Sequence, residues 1–285
     1  MVIELAAIPD VQSLPDTRNL SIDRVGIRDI RQPVRILDRS AEEQHTIGTF
    51  GMYVQLAPDV KGTHMSRFVE VLEEHPGVYS LATFPELVRE VASRLGAERC
   101  EVEMHFPYFM EKSAPVSGVT STLDFEVTLA AELDGDDIIE QLTVEVPVTS
   151  LCPCSKTISD YGAHNQRSHV TATVELVEPL WIDDLIVLLE DKGSCQLYPI
   201  LKRPDEKHVT ELAYDNPKFV EDIARDVALA FNADDRIGRY RVTVENFESI
   251  HNHSAFAEIT GGMDDDDEAD EAPRRIETNG TNGTH

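Results

Sequence analysis

The chain has 285 residues, with 53 Asp or Glu against 25 Lys or Arg and a formal net charge of −28. That excess argues against a nucleic-acid groove or an anionic-membrane surface, since both need a positive field. Hydrophobic residues make up 41%, enough for a sizeable core, and no run approaches the roughly 18–20 apolar residues of a spanning helix.

At roughly 150 residues per domain, the length suggests about two structural units. The first residues, MVIELAAIPD, lack the basic and apolar regions of a signal peptide, so a cytoplasmic protein is expected. Residues 1–20 read as an irregular lead-in. Residues 262–285 read as a disordered acidic tail, polar and without apolar periodicity. The tail from residue 263 carries a net −6, leaving −22 on the rest, so the acidity belongs to the folded body. With 7 Lys against 18 Arg, this composition suggests a protein adapted to a salt-rich cytoplasm, where self-repulsion is screened.

In chain order, 22–36 and 47–58 read as strands and 65–75 and 84–96 as helices with apolar residues at 3–4 spacing. Residues 99–110 and 121–133 alternate as strands around a loop at 112–119. Strands are then expected at 138–149 and 168–177. Helices follow at 180–192 and 216–233, the second capped by Asn216 ahead of Pro217. Strands at 239–248 and 253–260 close the chain. The order is ββααββ twice, over 21–135 and 136–261. Short connections point to antiparallel sheets with helices on one face, an α+β architecture.

The polar clusters fall in the second half. In SLCPCSKTISDYGAHNQR (150–167), Cys152, Cys154 and His164 are ligand types suited to a transition metal. In extended backbone Cys152 and Cys154 share a face; the bland reading is a loop with two buried thiols. In ESIHNH (248–253), His251 and His253 share a face if they lie on a strand, with Glu248 at its end. Such a group serves proton transfer or is merely structural. LKRPDEKHVTE (201–211) reads as a charged, solvated loop that could also supply a carboxylate ligand and phosphate-binding cations. Cys100 and Cys195 have no partner motif and read as small packed hydrophobes.

Together, LCPCSKTISDYGAHNQRS, LKRPDEK, NPKFVED, FESIHNHSA and GTHMSRFVEVL resemble the type IB family of GTP cyclohydrolase I, from about residue 20 to 261. The resemblance implies a tunnelling fold (T-fold) of two ββααββ units. It also implies a homo-oligomer, a tetramer favoured, with active sites at subunit interfaces. The implied reaction is metal-dependent opening of the guanine imidazole ring of GTP by water attack at C8, with release of formate. Fe(II) is the favoured metal, with Mn(II) or Zn(II) as alternatives. The salt-adapted composition tilts the expectation to an archaeal member and a 7,8-dihydroneopterin 2′,3′-cyclic phosphate, on a route to methanopterin-like or folate-like pterins; the other product is the triphosphate.

By the same resemblance, Cys152, His164, Glu206 and His251 match the metal site. Glu248 and His253 match residues of proton transfer, and Glu221 the anchor of the guanine edge. Lys61, His64, Arg67, Lys156, Arg167, Lys202 and Arg203 are candidates for the triphosphate. Rival readings are a nitrile reductase on the same fold, using a Cys nucleophile and NADPH, and a non-catalytic metal or nucleotide-binding module.

Overall fold

The computed structural model describes residues 10–262 except Ser13, Asp38, Ser40 and Ala41. The acidic tail from residue 263 and half of the expected lead-in lie outside the described residues. The elements run β1 (Ile22–Leu37), β2 (Glu43–Leu56), α1 (Met65–Glu74), β3 (Val78–Tyr79), α2 (Phe84–Leu95), β4 (Arg99–Ser113) and β5 (Thr120–Asp134). They continue β6 (Asp137–Leu151), α3 (Pro153–Ile158), β7 (Asn165–Leu176), α4 (Ile182–Glu190), β8 (Cys195–Gln196), α5 (Arg203–Asp215), α6 (Val220–Phe231), β9 (Ile237–Asn246) and β10 (Ala255–Gly261).

All strands join one sheet in the order β10-β9-β7-β6-β5-β4-β2-β1-β3, with β8 beside β6. Every pairing is antiparallel except β1 with the two-residue β3. The architecture is α+β, and the element order is richer than the doubled ββααββ pattern expected. Short strands β3 and β8 and helices α3 and α5 are added to it. Helices α3 and α5 escape periodicity for different reasons. The first is only six residues long with no buried residue; the second buries only Asp205 and Ala213, so it has no apolar stripe.

One face of the sheet is apolar. Register aligns Phe50 with Met104, Met104 with Leu129, Leu129 with Leu142, Leu142 with Val174 and Val174 with Tyr240. All are buried and belong to one continuous core with the inward residues of α1, α2, α4 and α6. Fully burying each such side chain stabilises the fold by about 1.5–3 kcal/mol before entropy is counted. The other face carries alternating polar residues, among them Tyr53, Glu101, Glu103, Thr143 and Glu245, mostly half-buried.

The halves meet at the β5–β6 hairpin, where Asp134 pairs with Asp137 across a two-residue turn. Gly135 takes φ +63 there, a conformation that favours glycine. Strand direction fixes which loops are neighbours. Since β2, β4, β5 and β6 alternate in direction, the C-terminal ends of β2 and β6 open on opposite edges of the sheet. The edge at the end of β6 gathers the connections 114–119, 152–164, 193–202 and 247–254. The opposite edge holds the β5–β6 turn and the β2–α1 connection.

Candidate active site

The centre is built where β6 ends and β7 begins. Leu151 pairs with Asn165, so residues 152–164 form a loop whose ends are held together. The Cys152 N–H donates to the His164 carbonyl oxygen at 3.1 Å. Ser155 ties the loop further: its hydroxyl donates to the Cys152 carbonyl oxygen at 3.2 Å and accepts the His164 N–H at 3.2 Å. Cys152 is the N-cap of α3, and its Sγ accepts the Ser155 N–H at 3.4 Å. Pro153 follows at the first helical position, where a missing donor does no harm.

This corrects the expected extended Cys-Pro-Cys with both thiols on one face. The chain turns into α3 after Cys152, leaving Cys152 half-buried and Cys154 exposed. Cys100 and Cys195 are buried as expected, and burial pushes the Cys100 thiol up to about 12.

His164 is half-buried, with Nδ1 at 2.9 Å from Gln166 Oε1 and 3.9 Å from Glu248 Oε2. Glu248 arrives there because the Phe247 N–H donates to the Arg167 carbonyl oxygen at 3.0 Å, pinning the end of β9 to β7. The backbones of Cys152 and His164 are therefore tied together, and the Glu248 carboxylate stands beside the His164 ring. His251 and His253 follow in the β9–β10 connection and are not on a strand, which corrects the shared-strand expectation. Both are exposed, and their rings stack at 5.1 Å with an interplanar angle of 19°.

The RPDEK segment, expected as a loop, opens α5, with Pro204 in its first turn. Glu206 is exposed on that turn, beside exposed Lys202 and Arg203. Asp205 is the residue that sequence reasoning missed. It is fully buried and accepts the Val116 N–H (2.8 Å), the Ser117 N–H (2.8 Å), the Ser117 hydroxyl (2.7 Å) and the Lys202 N–H (2.8 Å). Burial alone raises its carboxyl, but these donors more than offset that and hold it well below the usual carboxylate range. It clamps the β4–β5 loop to the start of α5. The only hint in the sequence was an acid next to a proline at a helix start.

Glu221 is exposed on the first turn of α6. That helix begins after Phe219, three residues past the expected cap; Asn216 instead closes α5, and its Nδ2 donates to the carbonyl oxygens of Gly193 and Ser194. Lys156 of α3 donates to the Tyr214 carbonyl oxygen and lies over the Tyr214 ring at 4.3 Å, joining α3 to α5. Arg167 is exposed on β7. Lys61 and His64 of the β2–α1 connection and Arg67 in the first turn of α1 stand apart, on the opposite edge, where His64 Nε2 lies 3.2 Å from Asp10. The 15 residues of β6 between the two edges span about 50 Å.

Among the described residues, no three His, Cys, Asp or Glu side chains stand close enough together to hold a metal ion. Cys152 and His164 are the two expected ligands that the fold joins directly. A cavity of about 350 Å³ lies far from them, between Asp23, Tyr53, Arg99 and Gln141 near the opposite edge.

A family profile described as type I GTP cyclohydrolase folE2 matches residues 8–257. The chain belongs to this family. It is 58% identical over 252 residues to GTP cyclohydrolase FolE2 of Nitrosococcus oceani, covering 88% of this chain and 94% of the relative. It is equally similar, 58% over 254 residues, to GTP cyclohydrolase FolE2 of Aromatoleum aromaticum, with 89% and 93% covered. At 55% over 250 residues it matches GTP cyclohydrolase FolE2 of Halorhodospira halophila, with 88% and 96% covered. These relatives are bacterial and lend no support to the archaeal, salt-adapted and methanopterin expectations. A looser structural likeness is to uricase from Arthrobacter globiformis, with a TM-score of 0.48 and 10% identity over 87% of this chain and 96% of that one.

Proposed function

We propose that this chain opens the imidazole ring of GTP by attack of water at C8 with loss of formate, giving a 7,8-dihydroneopterin phosphate for pterin and folate synthesis. The observation that carries the reading is the backbone tie between Cys152 and His164 at one sheet edge, with the Glu248 carboxylate 3.9 Å from the His164 ring, in a chain of the GTP cyclohydrolase folE2 family.

The donors are of the right kind for a transition metal: a half-buried thiol, imidazoles and carboxylates suit Fe(II), our favoured ion, and also Mn(II) or Zn(II). Cys152, His164, Glu206 and His251 would hold it. Bound there, such an ion supplies a Lewis acid and brings the pKa of water down to about 7.

The remaining work belongs to the side chains. Glu248, half-buried beside His164, and His253 move protons between the attacking water and the ring nitrogens. Glu221 accepts the guanine N1–H and one 2-amino N–H, a two-bond match for the two carboxylate oxygens. Lys156, Arg167, Lys202 and Arg203 bind the triphosphate from the near edge. Lys61, His64 and Arg67 reach a site only from a neighbouring subunit, because they sit on the far edge of their own chain. That separation supports a homo-oligomer with interfacial sites, a tetramer in our reading.

The cyclic phosphate expectation leaned on an archaeal source; with bacterial relatives, the product we carry forward is 7,8-dihydroneopterin triphosphate. The test is anaerobic incubation of the protein with GTP and Fe(II), with formate assay and mass analysis of the product. Formate and the triphosphate are expected from the wild type, and neither from Cys152→Ala. NADPH-dependent reduction of a nitrile in place of formate release would move the reading to the nitrile reductase, and a wild type that binds GTP without turnover would leave only a binding module.

A further inference from the structure

The apolar face of the sheet changes character at the site edge. Along β6 the buried row Leu142, Val144, Val146, Val148 ends in Ser150. Along β7 the row Val174, Ala172, Val170 ends in Ser168 and Gln166. Ser150 pairs in register with Gln166, and Val148 with Ser168. Exposure of Ser150 and Ser168 is 0% and of Gln166 7%. Burying polar groups where valine fits costs stability unless they are hydrogen-bonded to some purpose.

Here the bonds run to one end. The Ser168 hydroxyl donates to Ser150 Oγ at 2.9 Å, and Gln166 Nε2 donates to the same oxygen at 2.6 Å. With its nitrogen so committed, the Gln166 amide turns Oε1 toward His164 Nδ1 at 2.9 Å. An amide oxygen can only accept, so the ring proton belongs on Nδ1. Among the described residues Nε2 has no hydrogen-bond partner.

We infer that Gln166 is a positioning residue for His164: anchored by Ser150 and Ser168, it fixes the ring's orientation and its Nδ1–H tautomer, leaving Nε2 as the free lone pair. The inference rests on His164 being a metal ligand only for its consequence. A ring whose other nitrogen donates to a fixed acceptor is preset in orientation for metal binding through Nε2.

The experiment uses the full chain, stripped of metal by chelation and labelled with ¹⁵N-histidine. Long-range ¹H–¹⁵N spectra report the tautomer, and the His164 signal is identified by its loss in His164→Gln. The expected result is an Nδ1–H ring in the wild type and a mixed tautomer in Gln166→Met. Co(II) titration followed by absorption should then show affinity falling about 10–100-fold in Gln166→Met, and Gln166→Glu, which keeps an acceptor, should return both readouts toward wild type. Should Gln166→Met fail to fold, Ser150→Ala removes the amide's anchor and should produce the same mixture. An Nε2–H ring in the wild type, or a tautomer indifferent to both substitutions, overturns the inference. A wild type that keeps the Nδ1–H ring but binds no Co(II) upholds it and refutes the metal reading instead.

Discussion

Replacing Lys112 by Met should unbalance the most deeply buried charge pair described. Lys112 Nζ lies 2.5 Å from Glu190 Oε2 and also donates to Gln196 Oε1 at 2.9 Å. Glu190 is 1% exposed, its Oε1 has no partner, and it ends α4, where the helix dipole disfavours negative charge. Burial already pushes its carboxyl up, and Lys112 opposes that rise. Removing one partner of such a pair destabilises by about 3–5 kcal/mol. At about 2–4 °C per kcal/mol, this predicts a melting point roughly 6–20 °C lower.

The pH dependence has a definite sign. Without Lys112 the folded-state pKa of Glu190 rises further above its unfolded value. A raised folded pKa means stability that is present below the unfolded pKa and lost as pH rises through the folded one. The deficit of Lys112→Met should therefore be larger at pH 8 than at pH 5.5, both above the sequence pI near 4.6. Urea unfolding followed by circular dichroism at the two pH values measures it. The double variant Lys112→Met/Glu190→Leu should recover most of the loss, because a packed apolar pair substitutes well for a buried ion pair. A deficit below about 1 kcal/mol at pH 8, one that fails to shrink in acid, or a double variant no better than the single would refute the reasoning.

Three further outcomes are expected. Gly193→Ala places a Cβ 2.6 Å from the Val148 Cβ; urea unfolding should show a loss of about 1–3 kcal/mol, partly relieved by Val148→Ala. Asp205→Asn sets an amide nitrogen against donors that now meet a carboxylate oxygen, so hydrogen exchange at Val116 and Ser117 should accelerate while the exchange of β4 and β5 stays unchanged. Raising NaCl from 0.1 to 1 M shortens the Debye length from about 10 to 3 Å; with a net charge of −28, the melting temperature should rise, and a flat response would show that self-repulsion does not limit stability.

What the sequence disclosed follows from which physical signals are periodic. Helices α1, α2, α4 and α6 carry apolar stripes and were legible within a few residues, as were the eight longer strands. Helix α5 was missed because its stability comes from a buried carboxylate and its capping bonds, and neither alters hydropathy. Cys152, His164 and Glu248 stand out in the sequence as candidates, but their placement depends on the register of β6 with β7 and β7 with β9, a long-range property. Strand direction was equally hidden, so Lys61, His64 and Arg67 read as companions of residues that lie at the other edge. Gln166 looked like one more polar residue; its meaning emerges only once Ser150 and Ser168 flank it.

The tight turn at Gly135 has a consequence for motion. Enzymes that swallow a substrate by swinging one lobe onto another need a few backbone positions free to rotate between them. In this chain the ladder of backbone hydrogen bonds runs from β5 into β6, and the core passes beneath it unbroken. Among the described residues the halves are joined by this ladder and the shared core, with no loose linker at that seam. Any opening and closing around a nucleotide would then fall to connections such as 152–164 and 247–254, while the continuous ladder holds the spacing between groups carried on the sheet.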